Sequence, residues 1–186
     1  VDGASILGNV QMNLGATMTG NGADILSIDS TSTLRFGGDG ITTLDNVLLN
    51  NAGTIMLAPA VAGFDAVDLV NGTVITNAST GVIDLQNDLE IFNTSGIGGI
   101  DNFGLIKYSD GTGGSLITAQ VVTETGSTVD MQVGTLQLGN VLLKGDSNFI
   151  GFPQFSGTVN YVDGASILGN VQMNLGATMT GNGADI

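Results

Sequence analysis

Short apolar pieces, three to five residues long, recur along this chain between clusters of Asn, Gly, Ser and Thr. Val10-Gln11-Met12-Asn13-Leu14, Gly15 and Ala16-Thr17-Met18 form a first strand–turn–strand unit. Ile25–Ile28 and Thr33–Phe36 flank a turn at 29–32, and Val47–Leu49 and Thr54–Leu57 flank one at 50–53. Further units follow around Val74–Thr76 and Val82–Leu85, Ile100–Asn102 and Leu105–Tyr108, Val121–Thr123 and Thr128–Met131, and Val141–Leu143 and Asn148–Ile150. Second strands alternate strictly. Arg35 lies between Leu34 and Phe36, Asp84 between Ile83 and Leu85, Lys107 between Ile106 and Tyr108, and Asp130 between Val129 and Met131. A period of two sends the charge outward and its neighbours inward.

One apolar anchor per second strand gives Met18, Leu34, Ile55, Ile83, Ile106, Val129, Ile150 and Met179. The steps are 16, 21, 28, 23, 23, 21 and 29 residues, a mean of 23 over 161. Phe155–Tyr161 (FSGTVNY) is a further strand-like piece that competes with Ile150 for its rung. A step of this size with short strands and Gly/Asn turns predicts an all-β parallel β-helix (β-solenoid). Stacked rungs about 4.8 Å apart pair their backbones along the axis and join their inward side chains in one column. About seven coils then span 161 residues and advance roughly 34 Å. A row of antiparallel β-sandwich modules is the alternative, since such modules also show short strands and turn signals.

A longer repeat encloses these units. VDGASILGNVQMNLGATMTGNGADI fills positions 1–25 and again 162–186. Residues 1–161 therefore read as one full tandem period and 162–186 as the start of the next, so neither end is expected to be natural. The junction 160–164 carries no Pro-, Ser- or charge-rich hinge, and neither end carries a polar cap, so the stack is expected to continue as uninterrupted fibre. The uneven steps predict protruding loops at Ala58–Asp68 and Gln86–Gly99 and tight turns at 37–40 and 111–114. Pro59 and Pro153 fall at or beside such irregular places. Asn50, Asn51, Asn77, Asn102 and Asn148 are candidates for stacked amide ladders.

Composition sharpens this picture. Lys and Arg total 3 against 17 Asp and Glu, which leaves too few long ionic side chains for the wet face of an amphipathic helix. Thr, Ser, Asn and Asp must supply the surface, and they favour strands and turns. A net charge of −14 opposes binding to nucleic acid, which needs a basic footprint, and to anionic lipid. The chain has no Cys and no His, so disulfides, thiol chemistry and Cys-based zinc sites are excluded. No apolar run is long enough to predict membrane insertion.

The strings NNAGTIMLA (50–58), NASTGVIDLQ (77–86) and NFGLIKYS (102–109) resemble the turn–Gly–strand units of large repetitive bacterial extracellular proteins. The style is that of filamentous-haemagglutinin-like exoproteins and autotransporter passenger-type adhesins. The resemblance covers most of the chain, although the uneven coil lengths depart from the tidier repeats of the haemagglutinin group. It implies a right-handed coil, secretion, and a role in adhesion or in a surface or matrix fibre. The implied partners are neighbouring repeats of the same chain, with a glycan or cell-surface ligand in the adhesin case.

Few residues suggest chemistry. Gly20-Asn21-Gly22-Ala23-Asp24-Ile25-Leu26 resembles one nonapeptide of the calcium-binding RTX type, with Thr19 in place of the first Gly. Such sites need consecutive copies, because one turn completes the ligand set of the next, so a plain turn is the expected reading. No cofactor is expected beyond this weak calcium motif. Asp39, Asp45, Asp65 and Asp68 are the acids that a glycan-cleaving pair would require, but solvated loop acids are expected. Three cations and no His make an acid/base or anion-stabilising set hard to assemble, so no catalytic or metal residues are assigned. Thr31-Ser32-Thr33 and Thr42-Thr43 are expected to be ordinary strand-surface residues rather than a flat Thr ladder. Asn71, Asn77 and Asn93 match the glycosylation acceptor pattern, as composition alone would produce.

Overall fold

A computed structural model describes residues 4–13, 15–38, 40–58, 66–162 and 164–181. Those residues form 22 strands and no helix, and every strand pairing is parallel. The chain is a β-solenoid of about seven turns, which rules out antiparallel sandwich modules.

Each coil has three faces. Face one stacks Ala4–Ile6, Ile25–Ile28, Leu48–Asn51, Val74–Asn77 and Gly99–Asn102, then the second halves of three long strands, then Thr178–Gly181. The long strands are Gly114–Thr123, Thr135–Leu143 and Gln154–Tyr161. Face two stacks Asn9–Met12, Thr33–Phe36, Thr54–Leu57, Val82–Gln86, Leu105–Asp110, Thr128–Met131, Ser147–Ile150 and Ile167–Gly169. Face three stacks Thr17–Thr19, Ile41–Asp45, Ala66–Val70 and Glu90–Phe92, then the first halves of the long strands, then Gln172–Met173. Because the long strands round a corner unbroken, faces one and three belong to one 14-stranded sheet, while face two is a separate sheet of eight.

The two-residue alternation places the core as the sequence predicts. Leu34, Ile55, Ile83, Ile106 and Val129 lie in register on face two, each at most 1% exposed. Face one carries Leu49, Ile75, Ile100, Val121, Val141 and Val159 in one column, and face three carries Val67, Ile91, Ile117, Leu138 and Phe155. Phe149 and Phe155 meet edge to face, with ring centroids 5.4 Å apart.

Three anchors read from the sequence stand elsewhere. Phe149, not Ile150, continues the face-two column; it is 2% exposed, whereas Ile150 is 53% exposed. A one-residue slip exchanges inward for outward, and both residues are apolar enough to fit the pattern. Met18 lies on face three beside Leu44, and the face-two rung beneath Leu34 belongs to Val10. Met179 lies on face one beside Val159. Nor is Gln86–Gly99 a protruding loop, because Glu90–Phe92 within it is a face-three strand and Ile91 is 1% exposed. Of the other expected loop, Ala58 is buried and 66–68 belong to a face-three strand, while 59–65, with Pro59, lie outside the described residues. The segments 37–40 and 111–114 do turn the corner between faces two and three, although Asp39 lies outside the described residues. Phe155–Tyr161 competes for no rung, since it belongs to the long strand that spans faces three and one.

The turn–Gly–strand units have a steric cause. At the corner between faces one and two, a Cβ on Gly53 would lie 2.2 Å from the Asp29 carbonyl oxygen. On Gly81 it would lie 2.3 Å from that of Asn51, and on Gly104 2.3 Å from that of Ala78. Successive coils touch there backbone to backbone, so only glycine fits. Gly81→Ala is therefore expected to cost on the order of 2–4 kcal/mol in urea unfolding. Gly126→Ala, at a left-handed corner where nothing lies within 4 Å of the added Cβ, should cost only about 1 kcal/mol. Equal losses would refute the close-approach argument.

Candidate functional site

The most highly organised polar groups lie between coils. On face one, the inward column reads Ile6, Ile28, Asn51, Asn77, Asn102, Thr123, Leu143 and Tyr161. Asn51 Nδ2 donates to Asn77 Oδ1 at 2.8 Å, and Asn77 Nδ2 donates to Asn102 Oδ1 at 2.7 Å. All three side chains are fully buried. Asn51 and Asn77 also donate to the carbonyls of Val82 and Leu105, and Asn102 Nδ2 donates to that of Thr128, tying face one to the start of face two. Three of the five candidate asparagines thus form a ladder. Asn50 points outward and is exposed, and Asn148 lies on face two between Thr128 and Leu168. The ladder ends imperfectly, for Asn51 Oδ1 and Thr123 Oγ1 are buried without a partner.

A second cluster fills the corner between faces two and three. The Tyr108 hydroxyl donates to Asp88 Oδ1, and the Gly113 amide donates to Asp88 Oδ2 at 3.0 Å. Gly111 leaves the space that the hydroxyl occupies, since a Cβ there would overlap it. Burial, then the hydrogen bond to Asp88, hold the Tyr108 pKa well above the usual phenol range. At neutral pH this phenol is a fixed donor that joins neighbouring coils, not a nucleophile.

The cations also bridge coils. Lys107 Nζ lies 3.1 Å from Asp84 Oδ2 on the preceding rung, and Lys144 Nζ lies 3.1 Å from Glu124 Oε1. Arg35 donates to the Ala58 carbonyl at 3.3 Å. Asp84 is outward, as its strand position predicts, yet it is covered by Lys107, Gln86 and Ser109.

The acids considered for glycan cleavage are occupied structurally. Asp45 accepts from Asn71 Nδ2 at 2.8 Å, and Asp68 accepts from the amide and hydroxyl of Thr94 at 3.1 and 2.6 Å. Asp39 and Asp65 lie outside the described residues. In the nonapeptide-like stretch, Asn21 Oδ1 accepts from the amides of Ala23 and Asp24, both at 2.9 Å, which makes an Asx turn. Among the described residues no three acidic side chains converge on one point. The Thr31 amide and hydroxyl hold the Asp29 carboxyl below its ordinary pKa. Thr42 points inward, and the outward column of Thr17 and Thr43 passes to Asp68, so no flat Thr face forms. Of the acceptor-pattern asparagines, Asn77 is sealed in the ladder.

Sequence reasoning missed the Tyr108–Asp88 cluster. Alternation places Tyr108 inward, but its partner lies 20 residues earlier at a corner where Asn87 and Asp88 both take left-handed backbone. Two adjacent turn-forming residues before Leu89 are the one local signal.

With this geometry in hand, comparison of the chain with protein-family models, curated proteins and solved structures found no match to any of them.

Three outcomes check these assignments. Thr123→Val removes a buried hydroxyl that makes no hydrogen bond and should be neutral or stabilising by about 1 kcal/mol in urea unfolding. Asn77→Leu breaks the ladder at its middle rung and should cost about 2–4 kcal/mol. For Tyr108, the folded-state pKa is raised, so its contribution is complete below the unfolded phenol value near 10 and is lost as pH rises above it. Tyr108→Phe should flatten that alkaline limb of an unfolding-versus-pH profile; an unchanged limb would show that the hydroxyl is not held as described.

Proposed function

We propose that this chain is a structural repeat of a secreted, rod-like extracellular or cell-surface filament, such as a surface or biofilm-matrix fibre. One observation carries the reading: axial pairing continues through the seam between the two copies of the repeat. Strand 158–161, at that seam, pairs with 140–143 below and with 178–181 above. A rod built this way exposes its backbone only at its ends, which favours stiffness and protease resistance. The outward Thr, Asn and Asp and the net charge of −14 keep such a rod solvated. The polar groups described above hold coil to coil, which suits a mechanical role, and among the described residues they are not arranged as an acid/base pair for catalysis. Neighbouring repeats are then the chain's main partners.

A second reading, the stalk or binding region of a large adhesin, is favoured by large apolar side chains exposed at corners. Ile97 is 86% exposed, Phe152 59% and Phe103 42%. Immunogold labelling of intact source cells with antibody to the chain, together with diffraction from oriented material, tests both readings. Labelled surface threads with an axial spacing near 4.8 Å are expected for the filament. Label confined to the cell interior would overturn both. Binding to host cells or glycans that is lost in Phe103→Ser/Phe152→Ser would favour the adhesin.

A further inference from the structure

The duplicated sequence forms strands in both copies, but on different faces. In the first copy Ala4–Ile6 lies on face one, Asn9–Met12 on face two and Thr17–Thr19 on face three. In the second copy Ile167–Gly169 lies on face two, Gln172–Met173 on face three and Thr178–Gly181 on face one of the next coil. Single residues show the same displacement. Ile6 pairs with Ile28 on face one, while its duplicate Ile167 pairs with Ser147 on face two. Met12 pairs with Phe36 on face two, while Met173 pairs with Phe155 on face three. Met18 pairs with Leu44 on face three, while Met179 pairs with Val159 on face one.

Two glycines keep their backbone through the change. Gly8 and its duplicate Gly169 have φ of 110° and 117°, and Gly15 and Gly176 have 69° and 88°. The segment has therefore moved forward by one face, with its strand limits shifted by up to two residues. From copy to copy the chain passes seven coils and one further face, which is 22 faces in 161 residues.

We propose that the repeat is out of step with the coil, so that successive periods present the same side chains on three sides of the rod in turn, each a third of a turn from the last. Identical positions return to one side only after three periods. A partner that recognises one patch per period then meets three equivalent sides, and a partner binding along a single side finds its patch only at every third period.

Coil lengths and side-chain chemistry account for this. Down the column from Ile6 to Tyr161 the coils take 22, 23, 26, 25, 21, 20 and 18 residues. Seven coils use 155 of the 161 residues, and the remainder carries the chain onto the next face. Four of the six methionines fall in the duplicated segment, at positions 12, 18, 173 and 179. Met is unbranched and suits irregular space, so the same residue can stand in register beside Phe36 or Phe155, and beside Leu44 or Val159.

The chain has no Cys, so cross-linking can test the register directly. Leu142 and Asn160 are aligned on adjacent face-one rungs. Parallel rungs lie about 4.8 Å apart, within the Cα separation a disulfide accepts. If the period held a whole number of coils, Ser166 would take the place of Ser5 and stand above Leu142 instead. In this structure Ser166 lies beside Asp146, to which its hydroxyl donates at 2.5 Å. Under mild oxidation Leu142→Cys/Asn160→Cys is expected to close at least about ten-fold faster than Leu142→Cys/Ser166→Cys. Asn140→Cys/Thr158→Cys, a second outward pair on the same rungs, should behave like the first. Faster closure of the Ser166 pair would overturn the proposal. Failure of all three pairs to close in chains that still melt cooperatively would overturn it too, because it would deny the pairing of 140–143 with 158–161.

Discussion

Everything in this structure answers to one constraint: each backbone segment must hydrogen-bond to the equivalent segment one coil away. A single coil of about 22 residues cannot satisfy its own amides or bury its own apolar side chains. Stacking does both, but it requires equivalent positions to coincide every coil. Side-chain columns follow directly, and so does the ban on Cβ atoms where carbonyls of the preceding coil press against Gly53, Gly81 and Gly104. The buried asparagines obey the same rule. An amide can donate to the coil on one side and accept from the other, which makes Asn51, Asn77 and Asn102 a side-chain copy of the backbone ladder.

Much of this was legible in the chain. Alternation about Arg35, Asp84, Lys107 and Asp130 placed face two almost without error, because a charge between two large apolar residues admits one orientation. The corner glycines and three ladder asparagines announced themselves as recurrent strings in which Gly follows Asn by two or four residues. Face three was not legible. Its strands are short or merge with face one, as in 114–123, and Ile91 is the one strongly apolar residue of Glu90–Phe92 pointing inward. A two-strand unit therefore absorbed face three into its loops, and the Ile150, Met18 and Met179 anchors drifted to apolar residues on the wrong face. The Tyr108–Asp88 pair was hidden for a different reason. It joins a strand to a corner of the preceding coil, and the 20-residue separation follows only once the coil length is known.

The scarcity of cations acquires a meaning in this frame. Arg35, Lys107 and Lys144 each bridge adjacent coils, so none is set aside for attraction between one rod and another. The remaining acids leave the outer surface strongly negative. Two such rods side by side repel over the Debye length, about 8 Å at physiological salt, whereas axial contact is carried by uncharged backbone groups and apolar columns. Electrostatics therefore opposes lateral bundling while leaving axial stacking untouched. The proposed displacement by a third of a turn acts in the same direction, since it prevents a half-buried apolar strip such as Ile25, Leu48 and Val74 from repeating along one side and forming a continuous seam for another rod. In the filament proposed above, charge and phase would together favour a rod that grows along its axis and stays single.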